Sequence, residues 1–198
     1  MTSASVARVD RERRILQAAA ELFREKGFHG TGMDELGTRA GLSGPALYRH
    51  FGGKNEILAA LFNEAMDELV GATAPVHADP AADLRRLVHH HVRFTVDHRA
   101  LVSVYQREDR SLGDPWRKEF DRRRRRYVER WEQAVARAAP TAAAADVAAA
   151  AQSCLGAVFS LAYWPSRTLR APGATELAER YVLRGFGAIG VELVDQVR

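Results

Sequence analysis

The chain has 198 residues, 46% of them hydrophobic, which is ample for a folded core, so an intrinsically disordered protein is not expected. Its one cysteine, Cys154, cannot form an internal disulfide, and its N-terminus lacks the apolar stretch of a secretory signal, so a cytoplasmic protein is expected. The net charge of +4 permits an anionic partner but does not require one.

Apolar residues recur with helical spacing along almost the whole chain, and no stretch alternates in the way that a half-buried strand does. We therefore predict an all-α protein of about nine helices. In chain order their approximate ranges are 10–26, 33–40, 44–50, 54–71, 81–97, 100–107, 114–138, 141–164 and 175–197. The most apolar of these helices, at 141–164, is interrupted by Gln152, Ser153 and Ser160, which indicates a buried helix and not a membrane span.

Local start and stop signals support the first three helices. Gly27 is expected to end the first helix. Thr31, followed three residues later by Asp34, predicts a capping box at the start of the second. Ser43 as N-cap and Pro45 in the first turn predict the start of the third, because proline removes no helical hydrogen bond there.

Residues 33–51 have the features of a helix-turn-helix. Gly41 permits a tight turn between the two short helices. Five apolar side chains are spaced to pack this pair on the first helix: Leu36, Ala40, Leu42, Leu47 and Phe51. The outer face then carries small or hydrogen-bonding residues, which can enter the major groove of DNA closely. They are Ser43, Gly44, Pro45, Ala46, Tyr48, Arg49 and His50.

Lys54 lies in the first turn of a predicted helix, where a cation opposes the helix macrodipole at a cost of a few tenths of a kcal/mol. A DNA phosphate nearby would favour the cation at this position. A solvated surface side chain is the alternative for any one of these residues.

The stretch GFHGTGMDELGTRAGLSGPALYRHFGGKNEIL, residues 27–58, resembles the DNA-binding helices of the TetR family of transcriptional regulators. The resemblance is specific over roughly the first 60 residues, and the later helices match the family in number and order. It implies an N-terminal three-helix helix-turn-helix DNA-binding domain at residues 1–71, which includes a connecting helix at 54–71. It also implies a C-terminal helical domain for effector binding and dimerisation at residues 72–198.

The resemblance further implies contacts with double-stranded operator DNA. The residues expected to contact phosphates or lie beside them are Thr31, Thr38, Arg39, Tyr48, His50 and Lys54. Those expected to face base edges are Gly44, Pro45, Ala46 and Arg49, with Arg49 reading guanine and Ala46 a thymine methyl group. Ser43 belongs to the same predicted surface. The family often has Gly-Thr where this chain has Pro45 and Ala46, so a backbone donor and a hydroxyl are missing there.

A single helix-turn-helix, residues 33–51 and called the reading head below, contacts few bases of DNA. We therefore expect a homodimer in which a two-fold axis relates two reading heads. The resemblance implies a four-helix interface built from the last two long helices of each subunit. The predicted interface residues are Cys154, Leu155, Val158, Phe159, Phe186, Ile189 and Leu193. Ordinary core packing within one subunit is the alternative, and Cys154 in particular fits a small core residue.

Helices between residues 81 and 138 are expected, again from the resemblance, to enclose a pocket for a small-molecule effector. The candidate lining residues are Val88, His91, Phe94, Tyr105, Trp116, Phe120, Arg123, Arg124, Tyr127 and Trp131. Core packing is the alternative for each aromatic residue, because aromatic side chains are as common in cores as in pockets.

Five consecutive arginines, Arg122–Arg126, go right round a helix, so at least one of them lies on or beside its apolar face. Arg123 and Arg124 are the candidates. The partner of such a charge is water at the end of an extended side chain, an internal acid or an anionic ligand. The acids considered are Glu108, Asp109, Asp121 and Glu129. The ligand alternative predicts an effector with an acidic group and a long apolar body, such as a fatty acid or acyl-CoA.

Neither a metal site nor a cofactor is predicted. Three adjacent histidines, His89–His91, diverge by about 100° steps on a helix and cannot converge on one ion. His91 is expected to be a hydrogen-bonded core or pocket-wall residue. The chain has no P-loop, nucleophile elbow, zinc-protease helix or dinucleotide fingerprint, so an enzyme is not predicted.

We predict a ligand-responsive transcriptional repressor that binds a palindromic operator as a homodimer and is released by its effector. The helix at 54–71, taken as the only element belonging to both halves, would transmit the change. Two alternatives belong to other classes of protein: a sequence-nonspecific nucleic-acid-binding protein that uses Arg122–Arg126, and a small helical enzyme.

Overall fold

The structure is a computed structural model that describes residues 3–74 and 76–191, with side chains from residue 7 onward. Over these residues the chain is helical and contains no strand, which confirms the predicted all-α fold. The helices are α1 Ser3–Lys26, α2 Met33–Arg39, α3 Gly44–Tyr48, α4 Lys54–Thr73, α5 Pro80–Asp97, α6 Arg99–Glu108, α7 Trp116–Ala138, α8 Ala144–Ser160, α9 Ser166–Leu169 and α10 Ala174–Gly185. Three short 3₁₀ turns lie at Asp109–Ser111, Leu161–Tyr163 and Phe186–Ile189.

The helix ends differ from the prediction mainly at the two ends of the chain, and α1 begins at Ser3 and not near residue 10. The last predicted helix, 175–197, ends at Gly185, because the chain tightens into a 3₁₀ turn and Gly190 then takes a left-handed conformation with φ +81°. The far end of that prediction, residues 192–198, lies outside the described residues. The short helix α9 was not predicted, because four residues are too few to show a helical period.

The described residues form two compact units. Unit 1 consists of residues up to 65 together with 100–121, and unit 2 consists of residues 66–99 together with 122 onward. Both α4 and α7 continue from one unit into the other, so α4 is not the only shared element. The predicted functional division at residue 71 stays a prediction.

Unit 1 has a core built from α1, the two short helices and the start of α4. Its largest fully buried side chains include Phe23, Leu36, Leu47 and Phe62. Three rings close one side of this core, with the ring of Phe62 5.7 Å from that of Tyr105 and 5.2 Å from that of Phe120. Gly27 ends α1 with φ +76°, as predicted.

In unit 2, α10 packs against α5 and α8, and Trp131 of α7 is fully buried. The segment Ala144–Tyr163, which includes α8, is the one described helix with the length and composition of a membrane span. That is weak evidence for a membrane, since the core helix of a globular protein passes the same test.

A buried carboxylate joins α5 to α7 in unit 2. Asp83 is fully buried, and Nη2 of Arg130 donates to its two oxygens at 2.7 and 2.8 Å. Arg137 donates at 3.1 Å, and the backbone N–H of His77 at 3.0 Å. Burial alone would raise the pKa of Asp83, but the hydrogen bonds from Arg130 and His77 outweigh it and hold the pKa below its usual value. The sequence patterns did not indicate this cluster.

Candidate functional site

The helix-turn-helix is built as predicted. Gly41 has φ +69°, which favours glycine, and it lets the chain turn from α2 into α3. Gly37 allows the close approach of this turn, because a Cβ there would lie 3.1 Å from the carbonyl oxygen of Leu42. Leu36 and Leu47 are fully buried, so α2 and α3 are held on the core of unit 1. The opposite side of α3 is therefore presented outward.

The predicted base-reading residues lie on that outward side. Pro45 and Arg49 are exposed, and Gly44 and Ala46 are half-buried. Ser43 is exposed as well, and Tyr48, which was predicted to lie beside a phosphate, is 54% exposed. Gly44 and Ala46 belong to the same short helix. Ser43 is the N-cap of α3 as predicted, but its side chain makes no capping hydrogen bond. The hydroxyl of Ser43 is thus available to a partner outside the helix.

Contacts within the chain explain why a cation is found at the start of α4, where a DNA phosphate had been predicted to favour it. Nζ of Lys54 donates to the carbonyl oxygens of Phe28 at 2.8 Å, Thr31 at 3.0 Å and His29 at 3.3 Å. It also lies 4.7 Å from the centre of the Phe28 ring. These contacts occupy all three ammonium protons, so the carbonyls of the loop after α1 offset the unfavourable helix dipole.

We expect Lys54→Met to lower the free energy of unfolding by about 1–2 kcal/mol, because three carbonyls lose a charged donor. Urea denaturation measures the change. Lys118→Met is the matched control, since the 81% exposed side chain of Lys118 forms only a surface pair with Asp114. Unchanged stability together with weaker binding to every DNA sequence would instead favour a phosphate contact.

Thr31 also lies elsewhere than predicted. Its side chain is buried, and its hydroxyl donates to the carbonyl oxygens of Gly27 at 2.9 Å and Leu22 at 3.4 Å. The N-cap of α2 is Gly32, with no side-chain capping bond. The predicted capping box is therefore wrong, and the hydroxyl of Thr31 stabilises the end of α1 instead of facing a phosphate.

The other predicted phosphate contacts are on the surface or close to it. The hydroxyl of Thr38 donates to the carbonyl oxygen of Asp34 at 2.9 Å, and Arg39 pairs with Glu25 at 3.1 Å. His50 is half-buried, with Nδ1 3.5 Å from a carboxylate oxygen of Glu12. Exposed ion pairs of this kind are weak, so Arg39 can exchange its partner for a phosphate.

The predicted effector residues fall into two groups. Tyr105, Phe120 and the half-buried Trp116 belong to unit 1, and the other seven belong to unit 2. In unit 2, Val88, His91, Phe94, Tyr127 and Trp131 are all buried. The ring of His91 lies 5.6 Å from that of Tyr127, 5.8 Å from that of Trp131 and 5.2 Å from that of Phe159.

His91 is the polar member of this aromatic cluster. Its Nδ1 lies 3.2 Å from the hydroxyl of Tyr127. Burial lowers the pKa of His91 to about 3 and raises the pKa of Tyr127, so both side chains are uncharged. His89 instead meets Glu179 at 3.1 Å on the surface. Within residues 3–74 and 76–191, no three His, Cys, Asp or Glu side chains are placed to hold a metal ion.

The five arginines of the run differ in exposure because they point in different directions around α7. Arg122, Arg125 and Arg126 are on the outer side of α7, whereas Arg123 and Arg124 are half-buried. Nη2 of Arg123 donates to Asp67 of α4. One partner of Arg123 is thus an internal acid, and Asp67 was not among the four acids considered because it lies 56 residues earlier in the chain.

Most of the predicted interface residues lie inside the subunit. Cys154, Leu155, Val158 and Phe186 are at most 5% exposed, so they have little surface to offer a partner. Phe159 and Ile189 are half-buried, and Leu193 lies outside the described residues. Burial raises the pKa of Cys154 to about 11. The four buried side chains therefore belong to the core of unit 2 and not to a dimer surface, whereas the predicted roles of Phe159, Ile189 and Leu193 stay predictions.

The outward faces of the same two helices carry different residues. An open groove between them is lined on α8 by Ala149, Ala150, Ser153 and Ala157, and on the other side by Tyr181 and Ala188. Tyr181 is 69% exposed, and Leu177, one turn earlier on α10, is 45% exposed. Helical periodicity had selected the inner faces of these two helices, which are the more apolar ones.

Two family models match the chain. "Bacterial regulatory proteins, tetR family" matches residues 15–61, and "Tetracyclin repressor-like, C-terminal domain" matches residues 77–182. Among solved structures, the TetR family transcriptional regulator PfmR from Thermus thermophilus is 33% identical, with a TM-score of 0.74 over 87% of this chain and 98% of PfmR. AibR, solved in complex with isovaleryl coenzyme A and operator DNA, is 25% identical, with a TM-score of 0.75 over 87% of this chain and 96% of AibR.

The curated relative FasR, a transcriptional activator from Mycolicibacterium smegmatis, is 44% identical over 63 residues. That match covers 32% of this chain and 29% of FasR, so less than a third of the length of the relative is shared. The second family model alone spans more than half of the 198 residues. The chain therefore belongs to the TetR family of bacterial transcriptional regulators.

Proposed function

We propose that the protein is a cytoplasmic repressor that binds a palindromic operator as a homodimer. The observation that carries the proposal is the outward side of α3, where Tyr48 and Arg49 are exposed while Leu47 is fully buried. The guanidinium of Arg49 forms no ion pair with any residue the structure describes, so it is available to bind guanine through two hydrogen bonds. Repression needs only occupancy of the operator, whereas activation also needs a surface that contacts polymerase.

The groove between α8 and α10 supports the homodimer. A second copy related by a two-fold axis would cover Leu177 and Tyr181, which a lone subunit leaves in water. The small residues along α8 would let the partner helices approach closely. Two reading heads would then be held about 34–36 Å apart, one turn of DNA.

We further propose that the effector is an acyl lipid, such as a fatty acid or acyl-CoA. The buried aromatic cluster of unit 2 around His91 supports an apolar binding region, and the similar structure of AibR was solved with isovaleryl coenzyme A, which is an acyl-CoA. Binding would shift α4 and α7, which both run through the two units, and so change the separation of the reading heads. A coupling of about 1–3 kcal/mol is enough for a 5- to 150-fold change in operator affinity.

Arg49→Ala tests the reading head. We expect it to weaken operator binding by about 1–3 kcal/mol and to relax specificity at one base position in a selection from random DNA. The matched control replaces Arg125 and Arg126, exposed residues of the arginine run, by alanine and should leave operator binding unchanged.

The opposite result identifies the alternative function. If the control variant weakens binding to all sequences and Arg49→Ala has no effect, the protein coats nucleic acid through the arginine run. Operator affinity that does not change with any acyl-CoA or fatty acid shown to bind would contradict the proposed release mechanism. A small helical enzyme would be indicated by turnover that is lost when one polar residue of unit 2 is replaced.

A further inference from the structure

Among the buried side-chain atoms of unit 2 that have no hydrogen-bond partner within the described chain, three belong to uncharged side chains: Nε2 of His91, Oγ1 of Thr95 and Nε1 of Trp131. Each of these side chains is at most 1% exposed. A buried polar group without a partner destabilises the folded chain, so three of them together need an explanation.

The three residues belong to one cluster. Thr95 follows His91 by four residues on α5, so the two side chains lie on the same face of the helix. The ring of Trp131 meets the ring of His91 edge to face, with 5.8 Å between the centroids. The indole of Trp131 also lies near the hydroxyl of Tyr127. Burial raises the pKa of Tyr127, and the indole lowers that pKa by a smaller amount. The indole and the hydroxyl do not meet in hydrogen-bond geometry, so Nε1 of Trp131 has no partner within the described chain. Phe159 of α8 adds an apolar wall, 5.2 Å from His91.

All three atoms are donors. The hydroxyl of Tyr127, 3.2 Å from Nδ1 of His91, donates to that nitrogen, because the reverse arrangement would leave the Tyr127 proton without an acceptor as well. The imidazole proton then lies on Nε2. The Thr95 hydroxyl can turn its proton toward a partner, and an indole N–H can only donate. The partner that satisfies them is an oxygen with free lone pairs.

That oxygen should be uncharged. Burial lowers the pKa of His91 to about 3, so its ring supplies no positive charge at neutral pH. Three arginines of unit 2, Arg86, Arg130 and Arg137, already bind Asp83, and Arg123 binds Asp67. A free carboxylate would therefore be buried against neutral donors, which is unfavourable.

We propose that His91, Thr95 and Trp131 bind the carbonyl oxygen of an uncharged acyl group, a thioester, ester or amide, in the effector. The inference rests on the proposed effector site in unit 2 and narrows it, because it favours an acyl-CoA over the free fatty acid. The carbonyl joins the acyl chain to its carrier. The cluster would therefore distinguish an acid that is bound to a carrier from the free acid.

The test compares each thioester with a partner that lacks only the carbonyl. Calorimetry on the full chain measures butanoyl-CoA and hexadecanoyl-CoA against the S-butyl and S-hexadecyl thioethers of coenzyme A. We expect at least one thioester to bind about tenfold more tightly than its thioether. In Thr95→Val, which keeps the shape and removes one donor, the ratio should fall to about threefold.

Thr73→Val is the matched control. Thr73 is also buried, but its hydroxyl already donates to the carbonyl oxygen of Leu69 at 2.7 Å. The control should keep the tenfold ratio and melt at a lower temperature. Thr95→Val should melt at the same temperature as the unchanged chain or higher, because it removes an unpaired hydroxyl.

Three results would overturn the inference: no binding of either thioester, equal binding of thioester and thioether, or an unchanged ratio in Thr95→Val. Operator binding without added ligand is measured on the same samples. If the chain binds its operator and fails the thioester test, only this inference is lost. If it binds no operator, the proposed function fails first.

Discussion

Asp83→Asn should lower the free energy of unfolding by about 3 kcal/mol in urea denaturation. Removing one partner of a buried ion pair costs about 3–5 kcal/mol, because the remaining charge is left uncompensated. The lower end applies here, since the Arg130 side chain is 16% exposed and Arg137 35% exposed, and both keep some water. Asp97→Asn, at an exposed position of the same helix, is the control and should change stability by less than about 0.5 kcal/mol.

The difference in the free energy of unfolding between the unchanged chain and Asp83→Asn should depend on pH. The pKa of Asp83 is lower in the folded chain than its usual value, so the carboxylate stabilises the fold fully above the unfolded pKa of about 3.9. That contribution is lost as the pH falls through the folded pKa. The two stability curves should therefore separate at neutral pH and approach each other in acid. A constant separation down to pH about 2 would contradict the assigned ionisation.

Tyr181→Glu is expected to make the chain monomeric in sedimentation and to weaken operator binding by about a thousandfold. Tyr181 is 69% exposed in the subunit, so the fold should tolerate the change, but a carboxylate covered by a second copy would be buried without a partner. A lone reading head retains only a nonspecific level of affinity, which lies about three or more orders of magnitude below specific binding.

Val76→Glu places the same charge at a 55% exposed apolar position outside α8 and α10. It should leave both the dimer and the operator affinity unchanged. If Tyr181→Glu stays dimeric and binds its operator normally, the interface lies on another face, and the outward sides of α8 and α10 have a different role.

The features that followed from the sequence are those fixed by neighbouring residues. The turn at Gly41 and the stop at Gly27 depend on backbone conformations that glycine favours, so both could be located without any tertiary contact. The inward leucines of the helix-turn-helix, Leu36 and Leu47, followed from helical spacing in the same way. The fold class is the sum of such local signals.

The features that could not be predicted depend on partners far along the chain. Lys54 binds carbonyl groups 23 to 26 residues earlier, and Asp83 meets Arg130 47 residues later. No periodic pattern identifies such pairs. Periodicity also finds the most apolar face of a helix, which on α8 is the inner face, and it cannot tell which element covers the other side.

The buried thiol of Cys154 has a practical consequence for measuring the proposed movement. It is the only cysteine of the chain, it is 5% exposed, and burial raises its pKa to about 11, so it should react slowly with maleimides at neutral pH. A cysteine placed at the exposed Tyr48 would then be labelled selectively without mutating the native residue first. One fluorophore or spin label per subunit would report the distance between the two α3 helices of a dimer, measured with and without an acyl-CoA.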